Sequence, residues 1–143
     1  VAKNISEDDA KEEVLKVLDE GIAYNKFLEF VKYQGGSINN LVLSNNIYEV
    51  KASKDGYITN INALELGKLS MKLGAGRESL EDKIDYGAGI VLNKKLGDKI
   101  SKGDVLMYLY TNKEFDAQKL DDIYFEIKEI KQDEPILIYE ILS

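Results

Sequence analysis

Lys113 is a residue whose position in the sequence suggests chemistry. It closes the stretch GIVLNKKLGDKISKGDVLMYLYTNK, residues 89–113, and lies ten residues beyond the turn glycine Gly103. A lysine amine at the exposed tip of a β-hairpin can be acylated and can then carry the attached group between reaction centres. The spacing therefore makes Lys113 a candidate carrier lysine.

The neighbours of Lys113 both favour and oppose a carrier function. Thr111-Asn112-Lys113 resembles the T-D-K of lipoyl domains. A biotin carrier, however, has methionine on both sides of its lysine, and a carrier of either kind continues into a second β half. Lys113 has Asn112 and Glu114 beside it, and the residues that follow predict an acidic helix. A lipoyl- or biotinyl-type carrier modified at Lys113 is therefore the alternative interpretation, beside an ordinary solvated lysine at a strand end.

The turn Gly74-Ala75-Gly76-Arg77 is a second candidate site. Glycines let backbone N–H groups converge on an anion, and an arginine side chain donates a fork of hydrogen bonds. The turn follows a predicted helix, however, and the dipole at a helix C-terminus disfavours anions. We therefore interpret Gly74 and Gly76 as structural residues that end the helix. Arg77 is expected to contact another domain or to brace a loop.

The other polar residues suggest no catalytic group. The sequence has no His and no Cys, so a Ser or Lys nucleophile would lack its usual base and a thiolate metal site is excluded. A basic cluster is expected to be a solvated surface with weak ion pairs; it consists of Lys94, Lys95, Lys99 and Lys102. We expect no catalytic residue, substrate-binding residue, metal or cofactor in this chain.

Composition and charge narrow the class of partner. Hydrophobic residues make up 44% of the chain, which is enough for a core. The net charge of −7 argues against nucleic acid as the main partner. No apolar run reaches the ~18 residues that read as a membrane span, and the N-terminus lacks the apolar part of a signal peptide. Together with the lack of cysteine, these features favour a cytoplasmic location.

Hydrophobic spacing predicts an α+β fold in two parts. Residues 1–36 contain two short helices, at 6–20 and 22–33, which cannot bury both of their apolar stripes alone. After a polar linker, residues 37–46, short strands and inserted helices indicate a barrel-sandwich or hammerhead-like β domain over residues 47–143. Its strands are predicted at 48–52, 57–61, 90–92, 105–110 and 136–142, and its helices at 62–73 and 120–127.

Residues 47–143 resemble the C-terminal domain of the pyrimidine-nucleoside phosphorylases, the family that includes thymidine phosphorylase. The pieces that carry the resemblance are KASKDGYIT at 51–59, MKLGAGR at 71–77, DKIDYGAGIVLNKKLGDKISKGD at 82–104, LYTN at 109–112 and PILIYE at 135–140. Residues 21–36 resemble the last helices of the catalytic α/β domain that precedes it, so residues 1–36 are interpreted as the terminal helices of that domain. One departure is Asn93, where many relatives have the histidine of an L-H-K-K motif.

The resemblance implies the activity of a longer parent enzyme, a pentosyltransferase. Such an enzyme uses inorganic phosphate to cleave the glycosidic bond of uridine, thymidine or deoxyuridine, and yields the free base and a pentose 1-phosphate. Its phosphate loop, its pyrimidine-binding residues and its helical homodimer interface lie upstream of the matched region. The resemblance leaves a potassium requirement open. It implies that this chain is a structural lobe that braces the α/β domain and is inactive alone.

Overall fold

A computed structural model describes residues 3–77, 79–116 and 120–133 of the chain. Contacts divide the chain into two compact units, with described residues 3–41 in the first and 42–133 in the second. The strand predicted at 136–142 lies outside the described residues.

The first unit consists of two helices, α1 (Glu7–Asp19) and α2 (Ile22–Tyr33), followed by a 3₁₀ turn (Ile38–Asn40). The Ser6 hydroxyl accepts a hydrogen bond from the Asp9 N–H at 3.1 Å and so caps the start of α1, as the sequence predicted. No residue of either helix is buried. Isolated helices of this length are marginal in water, and most helices in proteins are stabilised by packing of an apolar face.

The second unit contains two antiparallel sheets within the described residues. Its strands are β1 (Asn46–Lys51), β2 (Gly56–Ile61), β3 (Gly89–Leu92), β4 (Lys99–Ile100), β5 (Val105–Thr111) and β6 (Phe125–Lys128). One sheet has the order β1-β5-β3 and the other β4-β2-β6. The pattern of β-branched and aromatic residues predicted four of these strands; the two-residue β4 and the strand β6 were not expected.

Two helical segments connect the strands of the second unit. α3 (Ala63–Ser70) begins where the Asn62 side chain accepts a hydrogen bond from the Glu65 N–H at 3.2 Å. It runs directly into a π-helical turn, Met71–Ala75. α4 (Asp121–Tyr124) is a single turn before β6.

The hydrophobic core of the described residues lies within the second unit. It contains the side chains of Val50, Ala52, Ile58, Leu69, Leu73, Ile100, Leu106, Met107, Leu109, Tyr124, Phe125 and Ile127. Both sheets and the end of α3 contribute to it, so the core fixes the π-helical turn against β5. The α+β class predicted from the sequence is confirmed, while the barrel-sandwich arrangement stays a prediction.

The helix predicted over residues 120–127 is confirmed over Asp121–Tyr124 and is wrong from Phe125 on, where β6 begins. Phe125 and Ile127 are buried and Glu126 and Lys128 are exposed, which is the alternation of a strand. Ile127 pairs with Ile58 across the sheet. Pairing with β2 stabilises the extended conformation here and overrides the helical spacing that the sequence shows.

Candidate functional site

The π-helical turn that ends α3 contains Gly74, and Gly76 follows directly after the turn. Gly74 has a φ of 113°, a backbone conformation that side-chain-bearing residues rarely adopt. A Cβ on Gly76 would lie 2.7 Å from the Cγ of Met71, so a close approach requires glycine there. These two positions let the chain leave the helix sharply.

Three consecutive carbonyl groups at this helix end are satisfied by three different donors. The Lys113 amine donates to the Lys72 carbonyl at 3.1 Å, and the Thr111 hydroxyl donates to the Leu73 carbonyl at 2.7 Å. The Asp85 N–H donates to the Gly74 carbonyl at 2.9 Å. The last carbonyls of a helix have no partner inside the helix, and here the end of β5 and a distant loop supply the partners.

Lys113 lies two residues beyond β5, and its amine is a hydrogen-bond donor to the end of the helix. Besides its amine, its backbone N–H is engaged, donating to the Thr111 hydroxyl oxygen at 3.1 Å. A carrier lysine has a free amine at the tip of a hairpin, whereas the Lys113 amine is hydrogen-bonded. A hairpin would also need a strand after the lysine, and residues 114–116 form none. The structure therefore gives the carrier interpretation no support.

Asp85 forms the centre of a network that we call the Asp85 clamp, made of Ser44, Asp85, Gly87 and Asn112. The Asp85 carboxylate accepts hydrogen bonds from the Gly87 N–H at 2.9 Å, the Asn112 amide at 2.8 Å and the Ser44 hydroxyl at 3.1 Å. The Gly87 N–H is the largest influence that holds the pKa of Asp85 below its ordinary value; burial opposes it, and the Ser44 and Asn112 donors reinforce it.

The clamp joins three separate segments of the second unit. Asn112 accepts a hydrogen bond from the Asn45 N–H at 3.0 Å, and the Ser44 N–H donates to the Gly87 carbonyl at 3.0 Å. A Cβ on Gly87 would lie 2.3 Å from the Val42 carbonyl oxygen, which explains the glycine. Sequence reasoning missed this network; the Asp85-x-Gly87 spacing of an Asx turn was its local signal.

Arg77 follows the π-helical turn and is exposed. With the described part of the chain it makes no hydrogen bond and no ion pair. The structure thus places Arg77 one residue beyond Gly76, on the surface. Its expected role in an interdomain contact stays a prediction.

The turns at Gly97-Asp98 and Gly103-Asp104, in and next to the basic region 94–102, are each stabilised by the side chain of the aspartate. Asp98 accepts a hydrogen bond from the Lys95 N–H at 2.7 Å, and Asp104 accepts one from the Ser101 N–H at 3.1 Å. Lys94 pairs with Asp104 at 3.7 Å. Partly exposed ion pairs of this kind contribute little to stability. We therefore interpret these turns as structural parts of the surface.

In residues 3–77, 79–116 and 120–133, no group of three or more acidic residues is arranged to hold a metal ion. Across the same ranges, none of the helices combines the length and the hydropathy of a bilayer-spanning segment.

Comparison with known proteins identifies the family. Residues 57–130 match the family described as the pyrimidine nucleoside phosphorylase C-terminal domain. A pyrimidine-nucleoside phosphorylase of Staphylococcus epidermidis is 40% identical over 147 residues, which cover 95% of this chain and 33% of that protein. A thymidine phosphorylase of Metamycoplasma hominis is 39% identical over 138 residues, covering 87% of this chain and 51% of that protein.

The chain belongs to the pyrimidine nucleoside phosphorylase C-terminal domain family, as the sequence resemblance indicated. It spans about a third to a half of the length of these two curated relatives. The π-helical turn, β3, β4 and most of the Asp85 clamp lie inside the matched region; Ser44 lies before it.

Proposed function

We propose that this chain is the C-terminal part of a pyrimidine-nucleoside phosphorylase and that its second unit is a structural lobe of that enzyme. The parent uses phosphate as co-substrate to release the base from uridine, thymidine or deoxyuridine, with a pentose 1-phosphate as the other product. The observation that carries this proposal is the similarity to two named phosphorylases over 95% and 87% of this chain.

The hydrogen bonding of the second unit supports a structural role. Both carboxylate oxygens of Asp85, both ends of the Asn112 side chain and the Thr111 hydroxyl are engaged within the unit. A group that binds substrate or transfers a proton must reach the reacting atoms. These side chains instead stabilise the loops and the helix end around β5.

The two N-terminal helices support the proposed domain boundaries. Large apolar residues are exposed along α1 and α2, among them Val14 at 59%, Phe27 at 50% and Phe30 at 60%. An apolar groove in the first unit is lined by Ile5 and Val17, among others. We therefore assign residues 1–36 to the end of a catalytic α/β domain, 37–46 to a linker and 47–143 to the C-terminal domain; residues 42–46 of that linker cluster with the second unit.

The finer features of the proposal come from the resemblance. The second unit folds as a barrel-sandwich, its role is to brace the α/β domain, and the parent is a homodimer whose catalytic residues lie outside this chain. Arg77 contacts the remainder of the parent. A cytoplasmic location and a potassium requirement stay open predictions.

The test is to express the gene with its full coding sequence upstream of Val1. The proposal expects a longer protein that converts uridine and phosphate into uracil and ribose 1-phosphate. A start codon directly before Val1, or a longer protein that leaves all three nucleosides intact, would overturn it. Intact-mass measurement after coexpression with lipoyl and biotin ligases tests the carrier interpretation in the same protein.

A further inference from the structure

Three large apolar side chains are exposed beside the Asp85 clamp. Val42, Leu43 and Tyr86 are 76%, 66% and 80% exposed, and we call these three residues the Tyr86 patch. The two segments that carry them lie against each other, because the Ser44 N–H donates to the Gly87 carbonyl at 3.0 Å. The backbones that carry these three exposed side chains therefore lie together, although they come from two distant parts of the sequence.

The backbone beneath the patch is held in place. Asp85 binds both segments, through the Ser44 hydroxyl at 3.1 Å and the Gly87 N–H at 2.9 Å. The absence of a side chain at Gly87 lets the backbone at Val42 approach closely. Neighbouring large apolar residues on ordered surface loops are typical of interaction sites, and preorganised loops lose less entropy when a partner covers them.

We infer that the Tyr86 patch is the surface of the second unit against which the remainder of the parent polypeptide packs. This inference rests on the proposed function. About two thirds of the length of the Staphylococcus epidermidis relative lies outside its match to this chain, which spans 33% of it. The proposed parent thus contains enough additional polypeptide to cover the patch.

The size of the patch favours a partner in the same polypeptide over a second copy of the chain. A fully covered tyrosine buries about 150–250 Å², whereas a stable interface between separate proteins buries about 800 Å² on each side. A tethered domain does not need that area, because the linker gives it a high effective concentration. Val42 and Leu43 belong to the first residues of the second unit, so a tethered domain reaches them readily.

Hydroxyl-radical footprinting of the full-length parent tests the inference. The labelling rate of each side chain is compared between the native parent and the parent unfolded in urea. We expect severalfold protection of Tyr86 and Leu43. Ile130 and Leu64 are matched internal controls, since they are 79% and 68% exposed on other parts of the same unit, and they should label almost as fast as in urea.

Each outcome decides for or against the inference. Protection of Tyr86 and Leu43 without protection of the controls supports it. Labelling of all four residues at the urea rate overturns it, and so does protection that disappears on dilution, because the partner would then be a second copy. Phosphorolysis measured in the same preparation separates the proposed function from the inference about the patch. If the parent is active and Tyr86 is unprotected, the proposed function stands and only the inference about the patch is contradicted.

A paired variant gives an independent readout. In the parent, Leu43→Ser with Tyr86→Ser should separate the unfolding of the second unit from that of the rest, giving two thermal transitions. The matched pair Leu64→Ser with Ile130→Ser should keep the wild-type profile. If both pairs unfold as the wild type does, the patch carries no contact.

Discussion

Thr111 and Leu73 are joined by a buried hydrogen bond of 2.7 Å, in which the Thr111 hydroxyl donates to the Leu73 carbonyl. Both residues are essentially inaccessible to solvent, at 0% and 1%. This bond connects the π-helical turn after α3 to the end of β5 inside the core. A buried carbonyl without a partner is costly, so the pair gives a direct test of how the helix end is held.

Thr111→Val should destabilise the second unit by about 1–3 kcal/mol, because the isosteric side chain leaves the Leu73 carbonyl without its donor. Urea unfolding measures the change. Thr59→Val is the matched control, since the Thr59 hydroxyl donates to the Glu126 carbonyl at 3.2 Å in an exposed position. Water can replace that donor, and a cost within about 0.5 kcal/mol is expected. Equal costs for the two variants would contradict this account.

Asp85 should make the second unit sensitive to acid. Its pKa in the folded chain lies below the ordinary value of 3.8, so ionised Asp85 stabilises the folded state above that pH. The stabilisation is lost as the pH falls below 3.8 toward the lower folded pKa. The difference in unfolding free energy between the wild type and Asp85→Asn should therefore be largest near neutral pH and should shrink in acid. A difference that does not change with pH would argue against the clamp.

Gly87→Ala should be among the most damaging single-methyl substitutions in the second unit. Its Cβ would lie 2.3 Å from the Val42 carbonyl oxygen and 2.8 Å from the Ser44 nitrogen. Both are backbone atoms, so one of the two loops must move, at a cost of about 1–3 kcal/mol. Gly89→Ala is the comparison, because nothing lies within 4 Å of its Cβ. Equal stability of the two variants, measured by urea unfolding, would show that the loops are not closely packed.

Arg77→Ala should leave the stability of the isolated chain unchanged within about 0.5 kcal/mol, because the side chain is exposed. In the full-length parent the same substitution should lower the thermal midpoint, since the proposal gives Arg77 a contact with the remainder of the enzyme. Lys95→Ala, which removes an exposed cation elsewhere on the unit, is the control. A parent in which both variants melt as the wild type does would refute the proposed role of Arg77.

The sequence predicted well those features that depend on neighbouring residues. Ser6 caps α1, Asn62 caps α3, and the glycines at 74 and 76 end that helix. Each of these depends on residues within a few positions, where capping and backbone conformation are decided locally. The family resemblance was likewise readable from short motifs.

The features that the sequence did not predict depend on distant partners. Asp85 binds Ser44, 41 positions away, and Asn112, 27 positions away, and no local pattern connects them. The apolar residues at 120, 123, 124 and 127 fit a helical period, but Phe125 and Ile127 pair with β2 instead. Strand pairing of this kind is decided by tertiary contacts, which a single sequence does not show.

The central claim is that this chain is a supporting lobe whose reaction centre lies elsewhere in a longer enzyme. The most direct measurement incubates the purified chain with uridine and inorganic phosphate and follows uracil release, with the full-length parent assayed alongside. We expect uracil from the parent and none above background from the chain. Uracil release by the chain at a rate comparable to that of the parent would contradict the claim.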